Sequence, residues 1–124
     1  MQILLRIAAA YSLAWSIGLA VPGWWPVDNG PLTAEMRSMA NGLAIANLAF
    51  AYLLNRAARN PSAHRGILYA ALMLFGLRGL LGTYEVLYML DGTAAVVRLV
   101  DMVLSLALFV GMLNALPGTL QDKA

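Results

Sequence analysis

The sequence predicts an all-α fold: an integral membrane four-helix bundle with both termini in the cytoplasm. Its 124 residues are 61% hydrophobic and only 11% charged, with a mean hydropathy of +0.73, which is too apolar for an ordinary water-soluble domain. A transmembrane helix needs about 20 mostly apolar residues. Four such stretches take up nearly the whole chain, so a single domain is predicted, with spans at 3–21, 34–54, 66–89 and 93–116.

The N-terminal stretch begins with a short polar start and one arginine before its apolar run, as a cleaved signal peptide also would. Its apolar run is longer than the usual signal core, so we expect it to be retained as a helix. Ala8, Ser12, Ser16 and Ala20 recur along it at every fourth position. That spacing of small residues is typical of close helix packing in membranes.

The second predicted span begins after a proline-rich connection that neither helix is able to continue through. Trp24 and Trp25 in this connection suit the aromatic belt at a membrane surface. Within the span, Arg37 and Asn41 lie four residues apart and so share one face of the helix. We therefore expect helix 2 to contribute polar groups to one side of the bundle.

The connection between the second and third spans is basic. It contains Arg56, Arg59 and Arg65, and Asn60-Pro61 marks a turn within it. Short cytoplasmic loops of membrane proteins are enriched in arginine and lysine. This loop is therefore predicted to face the cytoplasm, and four spans then place both termini on the same side.

The third and fourth spans form a predicted antiparallel hairpin around the Asp91-Gly92 turn. Glu85 lies six residues before Asp91, and Arg98 lies six residues after Gly92. At the rise of an α-helix, both side chains are about 10 Å below the turn. Since a lone charge in a bilayer interior costs several kcal/mol, pairing of these charges is favoured, and the sequence leaves open which acid pairs with which arginine.

A second pair is predicted one level deeper in the same hairpin. Arg78 lies about 20 Å from the turn and Asp101 about 14 Å, within reach of an arginine side chain. The intervals from Arg78 to Glu85 and from Arg98 to Asp101 keep each helix's charges on one face. Two charged faces are thus expected to meet across the hairpin.

Other polar and aromatic side chains are expected near these charges, in the outer half of the bundle. Asn41 lies at about the depth of Glu85, roughly 10 Å below the start of its helix. The candidate ligand-binding residues are Ser12, Trp15, Ser16, Arg37, Asn41, Tyr84 and Tyr88. Gly76, Gly79 and Gly82 of helix 3 either admit a neighbouring helix or leave space for a ligand.

Short motifs in helices 2 to 4 resemble a family of small bacterial four-helix membrane proteins of unknown function with a DoxX-like layout. These motifs are "EMR" at the start of helix 2, "LRGLLG" around Arg78, the Asp91-Gly92 turn and the acidic Asp101. The resemblance implies a four-helix bundle with acidic and basic residues in its core, in a bacterial inner membrane. It implies no reaction, and Glu85 with Arg98 departs from the family's pattern.

The residue types present narrow the chemistry that the chain is able to perform. There is no cysteine, and the single histidine, His64, falls in the basic loop. Haem, iron–sulfur clusters and histidine-rich metal sites would lack their usual ligands, so no metal and no cofactor is expected. The net charge of +2 is explained by membrane topology and calls for no nucleic-acid partner.

Two readings of the four hairpin charges stay open. Paired charges fix the register of two helices without any ligand. Ionisable groups inside a membrane also mark substrate or proton paths, which favours a function. The first functional hypothesis is a non-catalytic protein that binds a small lipophilic molecule or a partner helix at this polar centre.

The second hypothesis is a cofactor-independent acid–base enzyme acting on a lipid-soluble substrate, as an isomerase, cyclase or epoxide hydrolase. Asp101 or Glu85 would move the proton, and Arg78 or Arg98 would stabilise developing negative charge. Proton-coupled transport ranks third, because four helices enclose a channel only as an oligomer. The predicted partners are the lipid bilayer and a lipophilic ligand, and the sequence leaves a homo-oligomer open.

Overall fold

The computed structural model describes residues 1–21 and 34–121. These residues form four α-helices: α1 (Gln2–Ala20), α2 (Ala34–Arg59), α3 (Arg65–Tyr88) and α4 (Gly92–Gln121), with a short 3-10 helix (Pro61–His64) before α3. The all-α prediction is thereby confirmed. Trp24, Trp25 and the proline-rich connection lie outside the described residues, so the predicted aromatic belt stays a prediction.

Three segments of the described chain are long and apolar enough to cross a membrane: Gln2–Ala20, Pro61–Tyr88 and Gly92–Gln121. Helix α2 is not among them. Asn41, Asn47 and Asn55 interrupt its apolar residues, and both of its ends carry charges. Length and composition therefore support three of the four predicted spans.

Two helices extend beyond the apolar stretches that predict them. Helix α2 continues past residue 54 to Arg59, and α4 continues past residue 116 to Gln121. An apolar stretch measures the part suited to lipid, whereas a helix is free to continue into the polar surface. Arg56 and Arg59 lie in the last turn of α2, where positive charge is favoured by the helix dipole.

The helices pack mainly as two antiparallel pairs, α1 with α2 and α3 with α4. Small residues line the first pair: Ala8, Ser12 and Ser16 of α1 are buried, as the four-residue spacing predicts, whereas Ala20, the fourth residue of that series, is exposed. The Ser16 hydroxyl donates a 2.7 Å hydrogen bond to the backbone carbonyl of Ala44. A hydroxyl that bonds directly to the neighbouring backbone requires close approach of the two helices.

Glycines perform the same role in the second pair. A Cβ added to Gly79 would lie 2.6 Å from Cγ of Leu106, and one added to Gly82 would lie 3.1 Å from Cβ of Met102. Side chains of α4 thus occupy the space that these glycines leave. This finding favours the packing interpretation of the glycines over the interpretation that they leave space for a ligand.

The predicted turn between α3 and α4 is confirmed. Helix α3 ends where the backbone N–H groups of Met89 and Leu90 both donate to the carbonyl of Glu85, at 2.9 and 2.8 Å. Gly92 then adopts a φ of 58°, which is the left-handed region that glycine enters without steric cost. The chain reverses there and α4 begins.

The two ends of the bundle differ in character. We call the end with Arg56, Arg59 and Arg65 the basic end, and the end with the Asp91-Gly92 turn the hairpin end. All four helices contribute to one apolar core towards the basic end, formed by Leu5, Ala8, Ala9, Leu54, Ala57, Ala58, Leu68, Ala71, Leu72, Phe75, Leu108 and Met112. Four charged residues of α3 and α4 lie in the other half: Arg78, Glu85, Arg98 and Asp101.

Candidate functional site

Asp101 is the buried acidic residue around which the candidate site is built. Its side chain is 2% exposed. Ser105, Leu108 and Met112 follow it at intervals of four, three and four residues and are buried as well. That spacing defines one face of an α-helix. The face of α4 that packs in the core therefore also holds the Asp101 carboxylate.

Three side chains donate hydrogen bonds to this carboxylate. Oδ1 accepts one from the hydroxyl of Tyr11, on α1. Oδ2 accepts one from Nε of Arg78 at 3.1 Å, and another from Nη1 of Arg98. A carboxylate removed from water needs such partners, because the cost of burying its charge is offset only by close donors.

Arg98 joins Asp101 to a second acid. Its Nε lies 2.5 Å from Oε2 of Glu85, and its Nη2 donates a longer hydrogen bond of 3.4 Å to the carbonyl of Arg78. Both ion pairs that helical depth makes reasonable, Glu85 with Arg98 and Arg78 with Asp101, are present in the structure. The additional bond between Arg98 and Asp101 links the pairs. We name Tyr11, Arg78, Glu85, Arg98 and Asp101 the Asp101 cluster.

Burial is uneven within the cluster. The side chains of Arg78 and Arg98 are each 17% exposed, and that of Glu85 is 34% exposed. The predicted buried centre of several charges thus reduces to one buried aspartate whose charged partners reach the surface of the bundle. Long side chains explain the difference, because they place their charged ends beside Asp101 while their stems follow the outside of the helices.

Aromatic rings lie against the guanidinium of Arg78. Its Cζ atom is 4.5 Å from the centre of the Trp15 ring and 5.7 Å from that of Tyr11. The two rings meet edge to face at 6.4 Å, and Tyr11 also contacts Phe75. A cation over an aromatic face is stabilised further when water is excluded. Trp15, a predicted ligand-binding residue, therefore forms a wall of the cluster.

The predicted serines and Arg37 lie between α1 and α2. Ser12 is buried, and Ser16 bonds to the backbone of α2. Arg37 donates a 2.5 Å hydrogen bond from Nη2 to the carbonyl of Ala20, the last residue of α1. Carbonyls at a helix end lack partners within the helix, so this arginine caps α1.

Three further candidates lie on the outside of the bundle. Asn41 is exposed on α2. Tyr84 and Tyr88 are 55% and 75% exposed, and their ring centres lie 5.3 Å apart on α3. Equal depth alone placed these residues beside the charges, whereas their helical faces turn them away. The structure brings together Arg78, Glu85, Arg98, Asp101 and Trp15 from the predicted set.

Sequence reasoning missed Tyr11. It lies four residues before Trp15, so both rings project from one side of α1. A tyrosine in the middle of an apolar span usually finds a partner for its hydroxyl, and that signal was present in the sequence. The identity of the hydroxyl's partner could not be predicted from the sequence, because Asp101 lies on the last helix.

Ser105 has an unusual environment. Ser105 is fully buried, and its hydroxyl oxygen makes no hydrogen bond to any part of the chain that the structure describes. It lies one helical turn from Asp101 on the same face of α4. A buried hydroxyl without a partner costs free energy, so this position has an unused donor beside the cluster.

The cluster is suited to holding an oxygen-bearing group by hydrogen bonds from arginine. Within residues 1–21 and 34–121, no group of three or more His, Cys, Asp or Glu side chains is arranged to hold a metal ion. Comparison of the chain with protein-family models, with curated proteins and with solved structures finds no match. The resemblance to DoxX-like proteins therefore stays a prediction.

Proposed function

We propose that all four helices of this protein lie across a bacterial inner membrane with the basic end in the cytoplasm. The three apolar segments support this topology, and so does the packing of α2 antiparallel to α1. Arg37 at the start of α2 bonds to the end of α1, and Leu54 near its other end packs in the same core as Leu5. Because α2 packs along the length of α1, it lies at the same depth in the membrane as α1.

Labelling of single thiols tests this topology, because the chain has no cysteine of its own. Ser62→Cys lies in the connection at the basic end and is expected to react with a membrane-impermeant maleimide only after cells are opened. Asp91→Cys, in the turn at the hairpin end, is expected to react in intact spheroplasts. The reverse pattern, or equal labelling of both variants in intact spheroplasts, would contradict the proposed orientation.

The function that we propose is binding of a small lipophilic molecule at the Asp101 cluster. The observation that supports this proposal is the hydrogen bonding of the Arg78 guanidinium. Among the described residues, Arg78 donates side-chain hydrogen bonds through Nε, while its two Nη groups remain beside the Trp15 ring with the side chain partly exposed. Within residues 1–21 and 34–121 those N–H groups have no acceptor, and they lie at the surface of an apolar bundle.

The chemistry of these donors indicates the class of ligand. Asp101 already accepts three hydrogen bonds, so the cluster has more to offer as a donor than as an acceptor. An apolar molecule with a carbonyl, phenolate or carboxylate oxygen suits the Nη groups of Arg78, and its flat or aliphatic body suits Trp15. The charges of two arginines and two acids balance, so the site accommodates a neutral ligand as well as an anionic one.

Retention of lipophilic molecules during purification is the direct experiment. The protein would be purified in a mild detergent, extracted with organic solvent, and the extract compared by mass spectrometry with that of Arg78→Gln. Arg59→Gln, at the basic end, is a matched control. We expect one molecule to be retained by the wild type and by the control and lost from Arg78→Gln. Identical extracts from all three proteins would contradict the proposal.

A cofactor-independent acid–base enzyme is the second candidate, again as an isomerase, cyclase or epoxide hydrolase. It is favoured by Glu85, whose carboxylate is accessible at 34% exposure and lies 2.5 Å from Nε of Arg98. Such a pair offers a proton acceptor beside a group that stabilises negative charge. Glu85→Gln separates the two candidates: an enzyme loses turnover of the retained molecule, whereas a binding protein keeps the molecule unchanged.

A further inference from the structure

We propose that two copies of this chain associate through one exposed face of α2. This α2 face is formed by Ser38, Asn41, Gly42, Ile45, Ala49 and Tyr52. All six residues are exposed, and the side chains of Ile45 and Tyr52 are 70% and 63% exposed. Their spacing places them along one side of the helix. The inference rests on the proposed membrane position of α2 and is independent of the ligand.

The opposite side of α2 faces the rest of the bundle. Ala44, Ala51 and Ala58 recur there at intervals of seven residues and are buried. Ala44 receives the hydrogen bond from Ser16 of α1, which identifies this side as the contact with α1. Measured from Ala51, residues of the α2 face lie roughly 80 to 180° further around the helix, at about 100° per residue. They point out of the bundle.

An exposed amide is costly at this position. Asn41 lies two turns into α2, beside the part of α1 that crosses the apolar region. On the same helix, Nδ2 of Asn47 donates a 2.9 Å hydrogen bond to the backbone carbonyl of Leu43, which reduces the cost of a polar group in lipid. Asn41 is instead exposed on the outside of the bundle, with no hydrogen bond to its side chain from the residues that the structure describes. Polar side chains in membrane helices gain hydrogen bonds when two helices meet.

A second copy of the chain is the partner that fits this amide. All copies cross the membrane in the same direction, so a two-fold axis along the membrane normal brings each residue level with its own equivalent. An asparagine amide both donates and accepts, and Asn41 is therefore complementary to Asn41 of the other copy. No lipid tail offers a hydrogen bond at that depth.

The backbone along the α2 face permits close approach. Ser38, Gly42 and Ala49 are small, and no described atom beyond the adjoining stretch of α2 itself lies within 4 Å of the position that a Cβ would take on Gly42. This openness contrasts with Gly79, where Leu106 of the same chain fills the space. Small residues facing outward at membrane depth allow helices to pack backbone to backbone.

Cross-linking through single cysteines tests the interface. Ile45→Cys lies on the α2 face, and Leu43→Cys lies on another exposed side of the same helix, where Leu43 is 55% exposed. In proteoliposomes treated with copper phenanthroline, we expect Ile45→Cys to form a disulfide-linked dimer and Leu43→Cys to stay monomeric. Equal cross-linking of the two variants, or none with Ile45→Cys, would overturn the proposal.

The contribution of the amide is measured separately. Asn41→Leu is expected to weaken self-association by about 3- to 30-fold, since interhelical hydrogen bonds in membranes have about that effect. The measurement is energy transfer between labelled copies at several ratios of protein to lipid. Asn114→Leu, an exposed asparagine of α4, is the matched control and should leave association unchanged. Wild-type association of Asn41→Leu would show that the amide is not in the interface.

Discussion

Tyr11 on α1 donates a hydrogen bond to Oδ1 of Asp101 on α4, across 90 positions of the chain. The helices pack mainly as the pairs α1 with α2 and α3 with α4. This bond therefore joins the two pairs on the side of the apolar core towards the hairpin end. Because Arg78 contacts both Tyr11 and Asp101, the same bond also positions the arginine against Trp15.

Removing the Tyr11 hydroxyl tests that connection. Tyr11→Phe keeps the ring against Phe75 but takes one of three donors from Asp101. We expect the free energy of unfolding to fall by about 1–3 kcal/mol, the usual cost of leaving a buried acceptor short of a partner. The measurement is unfolding by denaturing detergent in bicelles. Tyr69→Phe, at a half-exposed ring, is the control and should change little.

Replacement of Asp101 leaves a charge without its partner. Asp101→Leu removes the acceptor of both arginines, and we expect a loss of about 3–5 kcal/mol of stability. Arg78→Met combined with Asp101→Leu restores the charge balance, because Arg98 keeps its pair with Glu85. The double variant should recover most of the loss in the same unfolding assay. A double variant less stable than Asp101→Leu would mean that Arg78 is not paired with Asp101.

The glycines of α3 provide a test of the packing. Gly79→Ala pushes a methyl group into Leu106, so we expect destabilisation of about 1–3 kcal/mol despite the better helix propensity of alanine. Gly66→Ala meets no described atom within 4 Å beyond the adjoining stretch of its own helix, and it should be neutral or stabilising by up to about 1 kcal/mol. Leu106→Ala in the Gly79→Ala background should recover part of the loss. Equal stability of the two alanine variants would show that α3 and α4 pack less closely than described.

Replacement of Ser105 tests whether its hydroxyl has a hydrogen-bond partner. If its oxygen has no partner, Ser105→Ala removes a buried polar group and should leave stability unchanged or raise it by up to about 1–3 kcal/mol. Thermal unfolding in detergent measures the change. A loss of stability would instead indicate that the hydroxyl bonds to a bound molecule or a water beside Asp101. Ser62→Ala, in the connection at the basic end, is the control.

The sequence by itself determined the helical architecture and the depths of the charges along one hairpin. Helices α3 and α4 are joined by a short turn, so distance from Asp91-Gly92 is enough to place Glu85 level with Arg98 and Arg78 near Asp101. Apolar length likewise predicted the helices, because lipid requires backbone hydrogen bonds to be made within each segment. Both inferences depend only on local geometry and on composition.

Only the tertiary structure decided which helical faces meet. Depth alone placed Asn41 beside Glu85, yet the small residues of α2 pack on α1 and turn Asn41 outward. Tyr11 joins Asp101 because α1 packs beside α4 as well as α2, a contact between the two ends of the chain that no local pattern encodes. Rotation of each helix about its axis is set by side-chain packing against its neighbours, and that information is distributed over all four helices.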